Sequence, residues 1–460
     1  MATARPGPRP GDVFETSPHI PEIDYDALKL KLRISTDRFY SREYHEREKA
    51  GLWMKVWQIA GREDDLPNTG DWMEYRIFDQ SFVLARGRDG IVRGFVNACR
   101  HRGNAFCHGK GNSPRFTCPY HKWSYGLDGK CLAVAQPDYK GPVEEFVGDK
   151  GELGLIAVPV ECFSGFIFLN PDRDAAPLRD FFGPAYDILA AYHLEEMVPA
   201  GMNVRETIEC NWKVVMDAFY ESYHVQAVHP ELIPLMDLAR ERYGNFGRHG
   251  ATTVPFNEAD EATASPEEQV AAFRNLPEPN FPGLAEVFPL YDELVASYRG
   301  ANGRLSFPEG VTGKNLLQRA VREHLTGKGL DVSDLTDRQL SDYQFWSVFP
   351  NVYIQLRAGE STVIIARPHP DGDPNRCIWH VCHYIWFPED QREGMRVEMT
   401  EIPEGGHVPY FLALEQDFSQ MEDQQLGLRN MTLDHMALTR QEPKVAQFHT
   451  ALDEWYEAAE

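Results

Sequence analysis

Two stretches decide the fold of this chain: NACRHRGNAFC, residues 97–107, and CPYHKWSYGLDGK, residues 118–130. Each carries one cysteine followed closely by one histidine, Cys99 with His101 and Cys118 with His121. Thiolates are soft ligands that select zinc or iron–sulfur clusters, and imidazole suits either. Two of each therefore suit a metal held between two loops. One reading is a single zinc ion in a Cys₂His₂ set. The other is a two-iron cluster in which the cysteines hold one iron and the histidines the other. A zinc finger puts both cysteines on one knuckle and both histidines on a helix. Here each loop carries one of each, which favours the cluster.

Outward from the loops, short strand-like segments alternate with turns. WQIAG (57–61), DWMEYRIF (71–78), SFVLARG (81–87) and IVRGFVNAC (91–99) are separated by LPNTGD and GRDG, rich in the Gly, Pro, Asn and Asp that turns require. The pattern runs on through VPVECFSGFIFLNPD (158–172) and predicts an all-β module over residues 56–170. Before it, residues 1–20 read as a loose Pro/Gly-rich arm. Asp24 to Leu52 read as helical, with a cap at Ser41. After the module, AYDILAAYHLEEM reads as helix and MNVRETIECN as strand. WKVVMDAFYESYHVQAVHP has helical apolar spacing up to the breaker Pro230. Residues 240–340 read as an irregular, polar surface excursion. Between 344 and 387 consecutive antiparallel strands are expected. From Pro409 the pattern is helical, with a break near Arg429.

A second constellation lies in that helical segment. Asp217, Glu221 and His224 fall at i, i+4 and i+7, the spacing of one helical face. His229 follows five residues after His224, so the helix must loosen or end between them. Two histidines arranged this way suit two facial positions on a non-haem iron, with one carboxylate completing the set. In LEQDFSQMEDQQ (414–425) the candidate is Asp417, with Glu415, Glu422 and Asp423 as rivals. Glu221 stands close to one turn before His224, within reach of its imidazole. The remaining cysteines (107, 131, 162, 210, 377 and 382) lack such spacing and read as small buried hydrophobes.

Composition bounds the function. The 460 residues are 42% hydrophobic and 12% aromatic, enough for a substantial core, and eight cysteines are too few for a disulfide framework. A net charge of −24 repels phosphate backbones, so nucleic-acid or anionic-membrane partners are not expected. No apolar run reaches the length of a membrane span, and MATARPGPRPGD lacks the apolar core of a secretory signal. A cytoplasmic location is the expectation.

Together the two cysteine–histidine loops, Asn211-Trp212-Lys213, the acid-x-x-His-x₄-His run, FPNVYI (349–354) and Asp417 resemble the catalytic α subunit of Rieske non-haem iron oxygenases, the aromatic-ring-hydroxylating dioxygenase family. The resemblance covers nearly the whole chain. It implies an α+β protein: an all-β Rieske [2Fe–2S] module (56–170) before a helix-grip, START-like catalytic domain with an antiparallel sheet and helices (171–460). Residues 1–55 would be an arm and helix packing on the catalytic domain. It implies a cluster on Cys99, His101, Cys118 and His121, and a mononuclear Fe(II) on His224, His229 and Asp417. Glu221 and Asp217 would serve catalysis, Glu221 by linking His224 to His121 of an adjacent subunit. The bridging position is often Asp in ring dioxygenases; glutamate occurs in relatives similar to carnitine and choline monooxygenases. The resemblance implies O₂-dependent hydroxylation of an aromatic or other hydrophobic molecule, and a homotrimer or α₃β₃ ring. Two alternatives are a monooxygenase or demethylase acting on a C–N or C–O linked methyl group or a quaternary ammonium, and an electron carrier without catalysis. The chain has no G-x-G-x-x-G after a strand and no plant-type ferredoxin run, so an NAD(P)H-dependent reductase, with or without a ferredoxin, is the expected electron source.

Overall fold

A computed structural model describes residues 9–136, 140–257, 259, 263–274 and 282–457. Residues 1–8 of the expected arm, and 258, 260–262 and 275–281 of the expected excursion, lie outside the described residues. The chain forms two compact units. One comprises Arg42–Phe181 with Pro368–Asp373; the other comprises the residues up to Ser41, Phe182–Arg367 and Pro374–Glu457.

The first unit is all-β around the two loops. A five-stranded antiparallel sheet runs in the order Ala157–Val158, Val92–Val96, Gln80–Arg86, Asp71–Ile77, Lys110–Asn112. Val160–Phe163, Phe166–Leu169 and Gln58–Arg62 make a second sheet, and three short strands from Phe116 to Ala133 a third. Val83, Phe95, Phe116, Tyr125 and Leu127 form its core together with Cys99 and Cys118. The unit extends beyond 56–170 at both ends. Residues 42–55, expected to pack on the catalytic domain, cluster here instead. The His45 ring lies 5.0 Å from that of Phe78, Lys49 pairs with Asp79 at 2.9 Å, and Gln58 donates to the Trp53 carbonyl at 2.6 Å. At the other end, Trp57 Nε1 donates to the Ala176 carbonyl.

The second unit is built on an eight-stranded sheet. Its strands in chain order are β1 (Met197–Ile208), β2 (Arg242–Phe246), β3 (His249–Val254), β4 (Tyr343–Val348), β5 (Val352–Arg357), β6 (Glu360–Pro368), β7 (Cys377–Trp386) and β8 (Thr400–Glu401). They lie in the order β2-β3-β4-β5-β6-β7-β1-β8. The β1–β8 pair is parallel. Three helices position the site: α1 (Trp212–Phe219), α2 (Leu412–Leu428) and α3 (Pro443–Glu457). α3 is gripped by the sheet through Lys444, whose Nζ donates to Thr252 Oγ1 and the Phe345 carbonyl at 3.0 Å each, and Gln447, which donates to the His249 carbonyl at 2.8 Å.

Four sequence expectations give way. Residues 24–40 form turns, a strand (Arg33–Ser35) paired with His435–Ala437, and a short 3₁₀ turn; the helix starts only at Arg42, after Ser41. Asp24 Oδ1 accepts from the backbone N–H groups of Asp26 and Ala27, and such local bonds compete with helix formation. From Arg9 the arm is anchored, with the Phe14 ring 5.9 Å from Phe246 and 6.1 Å from Trp346. Residues 240–340 are not a mere excursion. They supply β2 and β3 of the central sheet and the helices Pro266–Arg274, Phe288–Ala296 and Gly313–Lys328. Of the six further cysteines five are buried, whereas Cys162 is exposed. Among the described residues no helix is long and apolar enough to cross a membrane.

Candidate metal centres

In the first unit the loop backbones fold back on themselves to present their side chains. Cys99 N–H donates to the Asn104 carbonyl and Gly103 N–H to the Cys99 carbonyl. In the second loop Cys118 N–H donates to the Trp123 carbonyl and Lys122 N–H to the Cys118 carbonyl. Both thiols are buried. Tyr125 Oη accepts from the Arg100 N–H at 3.1 Å and lies 3.1 Å from Cys99 Sγ, where its proton can stabilise a thiolate. His101 stacks on Trp123 at 4.9 Å, and its Nδ1 stands 3.2 Å from His121 Nδ1. Two nitrogens each about 2.1 Å from one tetrahedral ion stand about 3.4 Å apart, so these two can share an iron. Among the described residues no three of the four donor atoms converge within 4.8 Å.

In the second unit, Asn211 starts α1 by accepting from the Lys213 N–H at 3.0 Å. Its own backbone N–H donates to Gln425 on α2, and its Nδ2 donates to the Pro374 carbonyl. α1 ends at Phe219, earlier than the apolar spacing suggests. Asp217, Glu221 and His224 therefore do not share a helical face. Beyond α1, Glu221 Oε2 accepts from the His224 backbone N–H at 3.0 Å, and Oε1 lies 2.6 Å from His224 Nδ1. A single turn, Val225–Val228, follows, and His229 leaves helical geometry with φ −121° and ψ 59°. The chain thus loosens where the histidine spacing requires it.

Asp417, on α2, faces both imidazoles. Its Oδ1 lies 2.8 Å from His229 Nε2 and 3.4 Å from His224 Nε2. Among the described residues these three form the one group of at least three acidic, histidine or cysteine side chains with donor atoms within 4.8 Å. Ligands at right angles around an ion, each about 2.1 Å away, stand about 3 Å apart, so the set fits one ion. Each histidine is clamped from behind. His224 Nδ1 donates to Glu221 and His229 Nδ1 donates to Gln416 Oε1 at 2.8 Å, leaving both Nε2 atoms to the metal position. Burial pulls both histidines down, but Glu221 and Asp417 at His224, and Asp417 and Gln416 at His229, outweigh it and raise their pKa. The site calls for a cation. Of the rivals, Glu415 bonds His407 at 3.1 Å and the Tyr410 N–H, while Glu422 and Asp423 are exposed. Asp217 is elsewhere: it accepts from His449 Nε2 at 3.0 Å, and His449 Nδ1 meets Arg38. Gln416 was not singled out from the sequence; a lone amide beside the candidate acid carries no signal until α2 turns it toward His229.

Comparison with known proteins places the chain in a family. A family model described as "Ring hydroxylating alpha subunit (catalytic domain)" matches residues 186–458, and a Rieske [2Fe-2S] domain model matches 56–146. The carnitine monooxygenase oxygenase subunit of Acinetobacter pittii (strain PHEA-2) is 32% identical over 196 residues, 42% of this chain and 51% of that protein. The anthranilate 1,2-dioxygenase large subunit of Acinetobacter baylyi (strain ATCC 33305 / BD413 / ADP1) is 34% identical over 216 residues, 45% of this chain and 44% of that protein. The matched stretches span about half the length of these relatives. In fold, naphthalene 1,2-dioxygenase with indole in its active site superposes with a TM-score of 0.64 at 19% identity, covering 93% of this chain and 94% of that one. The chain belongs to the ring-hydroxylating α-subunit family, with a Rieske [2Fe–2S] domain ahead of its catalytic domain.

Proposed function

We propose that this protein is the oxygenase component of a reductase-dependent system that hydroxylates an aromatic or other hydrophobic substrate with O₂. Cys99, His101, Cys118 and His121 would hold the [2Fe–2S] cluster, and His224, His229 and Asp417 a mononuclear iron. When bound, the cluster supplies single electrons and the iron activates dioxygen. The observation that carries the reading is Asp417 Oδ1 set between the two Nε2 atoms. Three protein ligands on one side leave the other positions open.

The chain's own residues do the rest. Glu221 and Gln416 fix the tautomers of the two histidines. Glu221 also offers a link to His121 of a neighbouring copy in a ring assembly, a homotrimer or an α₃β₃ complex. Phe219, two residues before Glu221, has its ring 5.3 Å from Tyr353 and 5.6 Å from Trp379, an aromatic cluster that would form an apolar wall for a hydrophobic substrate. An NAD(P)H-dependent reductase, with or without a ferredoxin, would supply the electrons.

A second reading is oxidative removal of a methyl group from nitrogen or oxygen, with quaternary ammonium compounds included. It is favoured by glutamate, rather than aspartate, at position 221, and by the aromatic wall, which can hold a cation. The test is turnover with a generic reductase under ¹⁸O₂ on a panel of arenes and N-methyl compounds. Labelled hydroxylated arenes support the first reading, and formaldehyde released together with the demethylated compound the second. Cluster reduction with neither product would leave only an electron carrier.

A further inference from the structure

A cavity of about 50 Å³ in the catalytic unit is lined by Tyr343, Gln355, Arg357, Glu360, Thr362 and His383. That volume has room for a few waters or one small polar substituent. Strand register ties it to Tyr353, which lies close enough to Asp417 to feel that carboxylate's charge. Side chains alternate along a strand, so Tyr353, Gln355 and Arg357 of β5 share a face. Gln355 is opposite Phe345 on β4 and Thr362 on β6, and Arg357 is opposite Glu360. Phe345 joins Tyr343 to Tyr353 in a row of near-parallel rings at 5.6 and 6.3 Å. Tyr353 in turn meets Phe219, two residues before Glu221. One sheet face thus runs from the aromatic contact of Tyr353 with Phe219 to the polar side chain of Arg357, about 13 Å further along β5 at 3.3 Å for each of four residues. The segment that follows His229 covers this end. Met236 bridges to Phe256, whose ring packs on Tyr343 at 5.8 Å and on the Arg357 guanidinium at 5.5 Å.

The charge of the lining decides what fits. Arg357 and Glu360 pair at 2.5 Å with side chains 6% and 12% exposed, so the guanidinium is already neutralised. His383 bonds the Thr362 hydroxyl at 3.0 Å, and burial favours its neutral form. With Arg357 and Glu360 closed on each other, neither a carboxylate nor an ammonium gains a counter-charge here, and burying either costs its desolvation. The Gln355 amide offers a donor and an acceptor to an uncharged group, and the Thr362 hydroxyl keeps capacity beyond its bond to His383.

We propose that this cavity is the polar end of the substrate pocket and takes an uncharged hydroxyl or carbonyl group carried on the substrate's hydrophobic body. The inference rests on the oxygenase reading above.

The test uses the full holoenzyme and four matched probes: naphthalene, 2-naphthol, 2-naphthoate and 2-naphthyltrimethylammonium. Dissociation constants are measured anaerobically by calorimetry. 2-Naphthol should bind at least about tenfold more tightly than the other three, the scale of one net hydrogen bond. In Thr362→Val and Gln355→Leu the preference for naphthol over naphthalene should collapse about five- to tenfold. Tighter binding of the naphthoate or the ammonium, equal binding of all four, no binding, or an unchanged preference in both variants would overturn the proposal. Oxygenated product is scored separately. Selective naphthol binding without product from any probe would sink the oxygenase reading while leaving the polar subsite standing.

Discussion

At the scale of single residues, the proposed iron site rests on two imidazoles held by their far nitrogens. Glu221 holds one and Gln416 the other, at 2.6 and 2.8 Å. Partners of this kind typically contribute 10- to 100-fold to metal affinity or activity. Gln416→Leu should therefore weaken Fe(II) binding at the mononuclear site about 10- to 100-fold, read by iron titration of the apo-site enzyme, with the visible spectrum of the cluster unchanged. Iron affinity equal to the parent's would mean that Gln416 does not orient His229. Glu221→Gln keeps an acceptor for His224 but removes the charge. Both metal sites should stay loaded and the cluster should still be reduced, while single-turnover product falls about 10²-fold. Cluster reoxidation at the parent rate with full product yield would remove Glu221 from the electron path. Much of this was legible in the sequence. The Cys-x-His and Cys-x-x-His loops, His224, His229 and Glu221 are local in sequence, and local spacing carries their chemistry. Asp417 lies far along the chain, so it could be picked out from its rivals only by resemblance. Gln416 and the Arg357 cavity depend on which way α2 and β5 face, and nothing local encodes that.

At the scale of elements, the site depends on how α1 starts and stops. Asn211 caps its N-terminus, ties it to α2 through Gln425 and reaches the Pro374 carbonyl, all while buried. Asn211→Ala should lower the unfolding free energy by about 1–2 kcal/mol, seen as an earlier urea midpoint. A midpoint within error of the parent's would show that the cap is dispensable. On α3, Lys444 is buried against β3 and β4, and burial lowers its pKa from 10.5 to about 8. Below pH 8 it is charged in both folded and unfolded chains, and the cost of burying that charge is felt in full. Between about 8 and 10.5 the folded protein sheds the proton while the unfolded chain keeps it. The unfolded state then binds more protons, so stability rises with pH through that window. Raising the pH from about 7.5 to about 9.5 should stabilise the parent by about 2 kcal/mol relative to Lys444→Met in urea unfolding. Parallel pH profiles would show that Lys444 does not titrate there. The elements that escaped sequence reading are instructive. β3, HGATTV, is buried along its whole length, so it lacks the period-two alternation that marks a half-buried strand. β2, RYGNF, is short and carries a glycine. Around residues 24–40, apolar residues at helical spacing are overridden by turns and by pairing with His435–Ala437.

For the whole molecule, the order of domains is written in the change from short alternating segments to helical spacing near residue 170, and the family matches place the same two domains in the same order. The boundary near residue 55 was less legible, because the helix at Arg42–Glu48 carries its docking groups on the face that meets Phe78 and Asp79, and spacing alone does not say which unit receives it. The central claim is that one chain combines a two-iron cluster with a separate single-iron site. Its most direct test is iron and acid-labile sulfide analysis of the purified holoenzyme beside Asp417→Ala. The parent should hold about three irons and two sulfides per chain, and the variant about two irons and two sulfides, with the same cluster spectrum in both. Two irons in both proteins, or three in both, would contradict it.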